Sequence, residues 1–161
     1  PEPFGLEFIG IGNEQWETEK VDFFRRYMLF EEAIHAKYPE MKLIGSAGPD
    51  VRTERYDKAW EFYHEAAKKK ETFTYAVDEH YYMPPEWFLN NTHFYDEYPR
   101  DVKVFSGEYA AHLVAKDTAC ACACAVALDH TILHYSTKKV VILFHNQKFL
   151  SSILPLSSIA A

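Results

Sequence analysis

The sequence predicts an α/β fold in which parallel strands alternate with helices, and three observations predict it. Four short apolar runs begin at residues 6, 41, 73 and 102, so successive starts are 35, 32 and 29 residues apart, each the length of one strand-helix unit. The segments between the first three runs carry apolar residues at helical spacing. Polar residues gather after the runs rather than before them, as at the carboxyl ends of parallel strands. A doubly wound sheet would show the same alternation. It would also need a glycine-rich phosphate loop, whereas GIGNE lacks the third glycine of the dinucleotide fingerprint, and Glu14 would repel a pyrophosphate. The expectation is therefore a partial (β/α)8 TIM barrel of about four parallel strands with intervening helices, followed by an atypical C-terminal tail. At 161 residues the chain is shorter than the ~250 that a complete barrel takes.

The first strand is expected at Leu6 to Gly12, where Phe8, Ile9 and Ile11 form a mostly apolar run interrupted by glycines. A helix from Thr18 to Lys37 follows, with Phe23, Tyr27, Phe30 and Ile34 as its buried stripe and Arg25, Arg26, Glu31 and Glu32 as its polar face; Pro39 stops it. Met41 to Ser46 reads as the second strand, closed by the turn signal Gly48-Pro49-Asp50. The second helix spans Thr53 to Lys70, with Tyr56, Trp60, Tyr63 and Ala67 inward and Lys68 to Lys70 complementing the dipole at its end. Phe73 to Val77 is the third strand and leads into the cluster Asp78-Glu79-His80-Tyr81-Tyr82. Pro84 and Pro85 suit the first turn of a short helix carrying Trp87, Phe88 and Leu89. Val102 to Gly107 is the fourth strand.

Two of these strands end in a glutamate: FIGIGNEQW runs into Asn13 and Glu14, and VKVFSGEYA runs into Glu108. In a barrel, side chains from the carboxyl ends of different strands face one substrate. Glutamates 94 residues apart meet only if the sheet curves round on itself. A net charge of −7, from 24 acidic and 17 basic side chains, speaks against nucleic acid as a partner. No uncharged stretch is long enough to span a membrane, since His145, Asn146, Gln147 and Lys148 interrupt the apolar runs. Pro1 to Gly12 has no basic n-region or cleavage-site pattern, so no secretory leader is expected there, and the compartment is not read from the sequence. Asn90-Asn91-Thr92 is a glycosylation sequon with meaning only in a secreted chain.

The segment after His112 breaks the rhythm. Cys120, Cys122 and Cys124 sit in an Ala-Cys repeat that is no disulfide framework. His130 and His134 have i, i+4 spacing, but no C-x-x-C pair accompanies them, and Thr131 stands where an HExxH motif carries its glutamate. Neither a metal nor another cofactor is expected.

At GIGNEQW, SAGP, DEHYYMPPEWF and VFSGEYAAH the chain resembles glycoside hydrolase family 51, the α-L-arabinofuranosidases, with four motifs in order over about Pro3 to His112. The resemblance implies a (β/α)8 barrel followed by a β-sandwich, of which residues 1–112 are a partial catalytic barrel, its fourth to seventh strands, and 113–161 a divergent tail. It implies release of terminal α-L-arabinofuranosyl units, with retention, from arabinose-containing polysaccharides or oligosaccharides. Glu14 corresponds to the acid/base and Glu108 to the nucleophile, a pair that retaining hydrolysis needs ~5 to 5.5 Å apart. Asn13 corresponds to the residue that bonds the sugar 2-hydroxyl. His80, Tyr81 and Tyr82 match the cluster in which a tyrosine touches the nucleophile, and Tyr82 is the expected one. His80 reads equally as a sugar contact or as a strand-end histidine satisfying a backbone carbonyl. Trp16 and Trp87 are sugar-ring candidates, although Trp87, beside Phe88 and Leu89, reads better as core. The family's other strands and sandwich are absent, so sheet edges stay open unless a homo-oligomer or complementary fragment closes them. The competing readings are a catalytically silent fragment that binds sugar weakly and another retaining glycosidase of the same clan, such as a β-xylosidase or an endoglucanase.

Overall fold

A computed structural model describes residues 5–111. The divergent tail, with its three cysteines, His130, His134 and the run 140–144, lies outside the described residues. Four strands, β1 (Phe8–Gly10), β2 (Lys42–Ser46), β3 (Ala76–Met83) and β4 (Lys103–Ala111), form one parallel sheet in the order β1-β2-β3-β4. Helices α1 (Phe23–Lys37), α2 (Glu54–Lys69) and α3 (Pro85–Asn90) alternate with them. The result is a curled half-barrel, the fold class that the strand spacing predicts.

Aromatic packing holds α1 and α2 to each other and to the sheet. Phe24 stacks on Phe62 at 4.6 Å, and the fully buried Tyr27 meets Tyr63 edge-on at 5.3 Å. Tyr27 closes its polar end by a 2.8 Å hydrogen bond with Thr74. Gly45 makes room for Tyr63, because a Cβ there would collide with the phenol ring, and Ser46 N donates to the Tyr63 hydroxyl at 3.0 Å.

Four features differ from the expectation. First, α1 starts at Phe23 rather than at Thr18, because the Thr18 hydroxyl donates back to Gln15 O and Asp22 takes a left-handed conformation, φ 50°, that interrupts helix propagation. Second, its buried stripe is Phe23, Tyr27 and Glu31, while Phe30 is 57% exposed. Glu31 tolerates burial because His35, at 2.6 Å, and Lys70, at 2.5 Å from beyond the end of α2, bond its carboxylate.

Third, β3 begins and ends later than Phe73 and Val77, so Asp78 to Tyr82 are strand residues rather than a loop after the strand. Polar side chains stand within this strand because they are paired: His80, 1% exposed, bonds Glu14 and Asp78, and the fully buried Glu79 receives hydroxyls and an indole. Fourth, β4 runs through Gly107 to Ala111 and carries Glu108 inside the strand. The remaining ends agree within two residues. In β1 the regular strand is three residues long, though Ile11 N still donates to Ile44 O at 2.8 Å.

Candidate active site

The site lies on the sheet face opposite the helices and is organised around His80. Alternation along β3 turns Glu79 and Tyr81 into the helix-covered core, and Asp78, His80 and Tyr82 to the other face. On β4, Val104 and Ser106 pair with Val77 and Glu79 and share their covered face. Strict alternation would send Glu108 to that same face. Instead the register passes from Glu79 opposite Ser106 to His80 opposite Glu108, so Gly107 is the extra residue of a bulge, and the bulge turns Glu108 toward His80 and Tyr82.

Glu14 reaches the same point from the loop after β1. Its backbone is left-handed, φ 38°, an uncommon conformation for a non-glycine residue. Gln15 anchors the turn by donating to Ser46 O, at the end of β2, at 2.8 Å. Glu14 Oε1 is 2.9 Å from His80 Nδ1, and Glu108 Oε2 is 3.6 Å from the same nitrogen. Asp78 Oδ2 is 3.1 Å from His80 Nε2. Ligand oxygens of Glu14 and Glu108 and a ring nitrogen of His80 all lie within 4.8 Å of one another. This set has the atom types of a metal site; in this structure both ring nitrogens of His80 face carboxyl groups, which makes a hydrogen-bonded cluster.

The electrostatics follow from that geometry. Burial by itself disfavours a charged imidazole. Hydrogen bonds to Asp78 and Glu14 and the charges of Asp78 and Glu108 outweigh it and raise the His80 pKa to about 9. His80 is thus an imidazolium at neutral pH, held among three carboxylates. Tyr82 donates to Glu108 Oε2 at 2.7 Å, and donating to that carboxylate pushes its own pKa up to about 12.

The other expected residues are placed as follows. Tyr81 is not at the cluster: it is fully buried on the helix side, where it bonds Glu79 and Tyr95. Trp16 is 59% exposed, with its ring against the Arg55 guanidinium at 5.2 Å. Asn13 is exposed beside Glu14. His80 contacts carboxylates with both nitrogens, rather than a backbone carbonyl. Trp87 packs on Phe88 and Phe94, on the core side. Sequence reasoning assigned no part to Asp78, Gln15 or Gly107; the one available signal was a glycine inside a strand pattern directly before Glu108, which marks a bulge.

Behind the site, Glu79 is completely buried and gathers hydroxyls and an indole. Tyr56 (2.7 Å), Trp60 (2.8 Å) and Tyr98 (3.1 Å) donate to Oε1, and Tyr95 (3.2 Å) and Tyr81 donate to Oε2. Burial pushes its pKa up to about 8 against the opposing effect of these bonds. The carboxyl joins α2, β3 and the segment before β4 directly beneath His80.

A curled parallel sheet with carboxylates converging at its strand ends defines a piece of a barrel-type α/β domain. The chain belongs to the family described as alpha-L-arabinofuranosidase 1 domain, which matches residues 1–100 and so includes Glu14, Asp78, His80 and Tyr82. Over 112 residues, 69% of this chain, it is 42% identical to an extracellular exo-alpha-L-arabinofuranosidase of Streptomyces chartreusis. It is 31% identical over 112 residues, 68% of the chain, to alpha-L-arabinofuranosidase A of Aspergillus niger. Identity to alpha-L-arabinofuranosidase 2 of Arabidopsis thaliana is 27% over 113 residues, 70% of the chain. The matched parts are 13%, 15% and 14% of those proteins, so the chain spans a small part of the relatives it matches. No solved structure gave a significant match.

Proposed function

We propose that this chain carries the catalytic carboxylates of an α-L-arabinofuranosidase and releases terminal α-L-arabinofuranosyl units by double displacement. Glu108 attacks the anomeric carbon while Glu14 protonates the leaving oxygen; Glu14 then takes a proton from water, which attacks the glycosyl-enzyme ester at the same carbon. Two inversions return the starting configuration. The observation that carries this reading is the approach of Glu14 and Glu108 to within 4.8 Å, close to the separation of a retaining pair and too short to seat the water of an inverting one. Tyr82, bonded to Glu108, keeps the nucleophile oriented, and Asn13, exposed beside Glu14, takes the sugar 2-hydroxyl, a role that rests on the family motif it matches. The substrate class, arabinose-containing polysaccharides or oligosaccharides, rests on family membership.

The test is hydrolysis of 4-nitrophenyl α-L-arabinofuranoside by the chain, beside the corresponding β-xylopyranoside and the Glu108→Ala and Glu14→Ala variants. Furanoside hydrolysis that Glu108→Ala abolishes supports the reading; preference for the pyranoside, or activity that survives Glu108→Ala, overturns it.

One observation favours a second reading. Glu108 is 43% exposed on an open face, and β1 and β4 are both sheet edges among the described residues. On this reading the isolated piece is silent and gains a closed pocket only with more of the barrel, from a longer polypeptide or a second copy. A folded parent chain that releases no nitrophenol favours it.

A further inference from the structure

We propose that Asp78 is a positioning residue, which ties the β4 bulge to His80 and thereby fixes the imidazole and Glu108 as one unit. Its two oxygens do separate jobs. Oδ1 accepts the backbone N–H of Gly107 at 3.0 Å, and Oδ2 faces His80 Nε2 at 3.1 Å. Gly107 is the residue whose insertion turns Glu108 onto the site face, so the carboxylate holds that bulge closed. The approach requires a glycine: a Cβ on residue 107 would fall 2.8 Å from Asp78 Cγ and closer still to Oδ1. The backbone of Gly107 is not left-handed, so this steric opening is what the glycine supplies.

The charged groups facing His80 are Glu14 from the loop after β1, Asp78 from β3 and Glu108 from β4. Only Asp78 faces Nε2; the other two face Nδ1. Asp78 therefore decides whether Nε2 keeps its proton, and hence whether the imidazole meets the two glutamates as a cation or as a neutral donor. This role for the catalytic pair rests on the reading of Glu14 and Glu108 given above; the Asp78–His80 link does not.

Nitrogen-15 NMR of the histidine rings in the full chain tests the link without turnover. In the parent at pH 7 both His80 nitrogens are expected to be protonated. In Asp78→Asn the amide oxygen still accepts from Gly107 N–H, but the amide nitrogen donates to Nε2, and His80 becomes the neutral tautomer with its proton on Nδ1. Gly107→Ala, which displaces the carboxylate sterically, shifts the Nε2 resonance in the same sense and serves should Asp78→Asn fail to fold. Should the parent hydrolyse arabinofuranosides, Asp78→Asn lowers kcat by at least ~10²-fold with KM little changed. An unprotonated Nε2 in the parent, or a variant with a native amide spectrum and parental His80 shifts, overturns the proposal, whatever the hydrolysis assay gives.

Discussion

At the scale of single residues, the site sets a histidine and a tyrosine against carboxylates, and each contact has a measurable consequence. Tyr82→Phe removes the donor to Glu108 while leaving the ring. A hydrogen bond to a charged group contributes ~1.5–3 kcal/mol, so furanoside kcat is expected to fall by ~10- to 100-fold, and an unchanged kcat would remove Tyr82 from the account. Glu79 and His80 make a second prediction, this time for stability. Both have folded pKa values raised, from 4.5 to about 8 and from 6.5 to about 9, so the folded chain holds protons that the unfolded chain has released. Their contribution is complete below the unfolded values and is lost as pH rises through the folded ones. Urea midpoints should therefore fall between pH 5 and 9. Glu79→Gln should flatten the part between about pH 4.5 and 6.5 and leave the His80 part between about pH 6.5 and 9; a slope unchanged in this variant would show that Glu79 does not titrate in that window.

At the scale of elements, two glycines separate a steric requirement from an incidental one. Gly45→Ala drives a methyl group into the buried Tyr63 ring and is expected to cost ~1–3 kcal/mol in denaturant unfolding; Gly10→Ala, with nothing within 4 Å of the added carbon, is expected to stay within ~0.5 kcal/mol. Equal effects at the two positions would contradict the packing of α2 on β2. The elements themselves were legible because each is written in local sequence: the stripes of α2, the prolines before α3 and the spacing of the strands. The exchange of Phe30 for Glu31 was not legible, because helical spacing admits a 4-4 stripe as well as a 4-3-4 one, and Lys70, which pairs with the buried Glu31, lies 39 residues away; only His35, at i+4, is a local partner. The end of β3 was missed for a related reason: the polar residues in Asp78 to Tyr82 look like a loop until the distant partners that satisfy them in the strand, Glu14 for His80 and Tyr56 and Trp60 for Glu79, are known. Glu14, Glu108, His80 and Tyr82 could be selected from motif order, whereas the parity shift at Gly107 that brings Glu108 to their face depends on a register between two strands.

At the scale of the whole molecule, the described half-barrel has a closed helical side and an open one. Among the described residues no helix is long and apolar enough to cross a membrane, while α1 exposes Met28, Leu29 and Phe30 and the sheet ends in two edges. Such edges and apolar faces favour pairing with further chain. Sedimentation of the 161-residue chain is expected to show mass rising with concentration; a strict monomer at all concentrations would contradict this. Activity and association are then linked: if a second copy completes the pocket, furanoside hydrolysis per chain rises with the same concentration dependence.

Glu108 as nucleophile and Glu14 as acid/base are tested most directly by mass spectrometry of Glu14→Ala after reaction with 4-nitrophenyl α-L-arabinofuranoside. Nitrophenolate leaves without protonation, so the first step proceeds, while the second lacks the base that activates water and the ester accumulates. The predicted result is one pentosyl unit on the peptide that contains Glu108. An adduct on another residue, or none from a folded variant, would contradict the account.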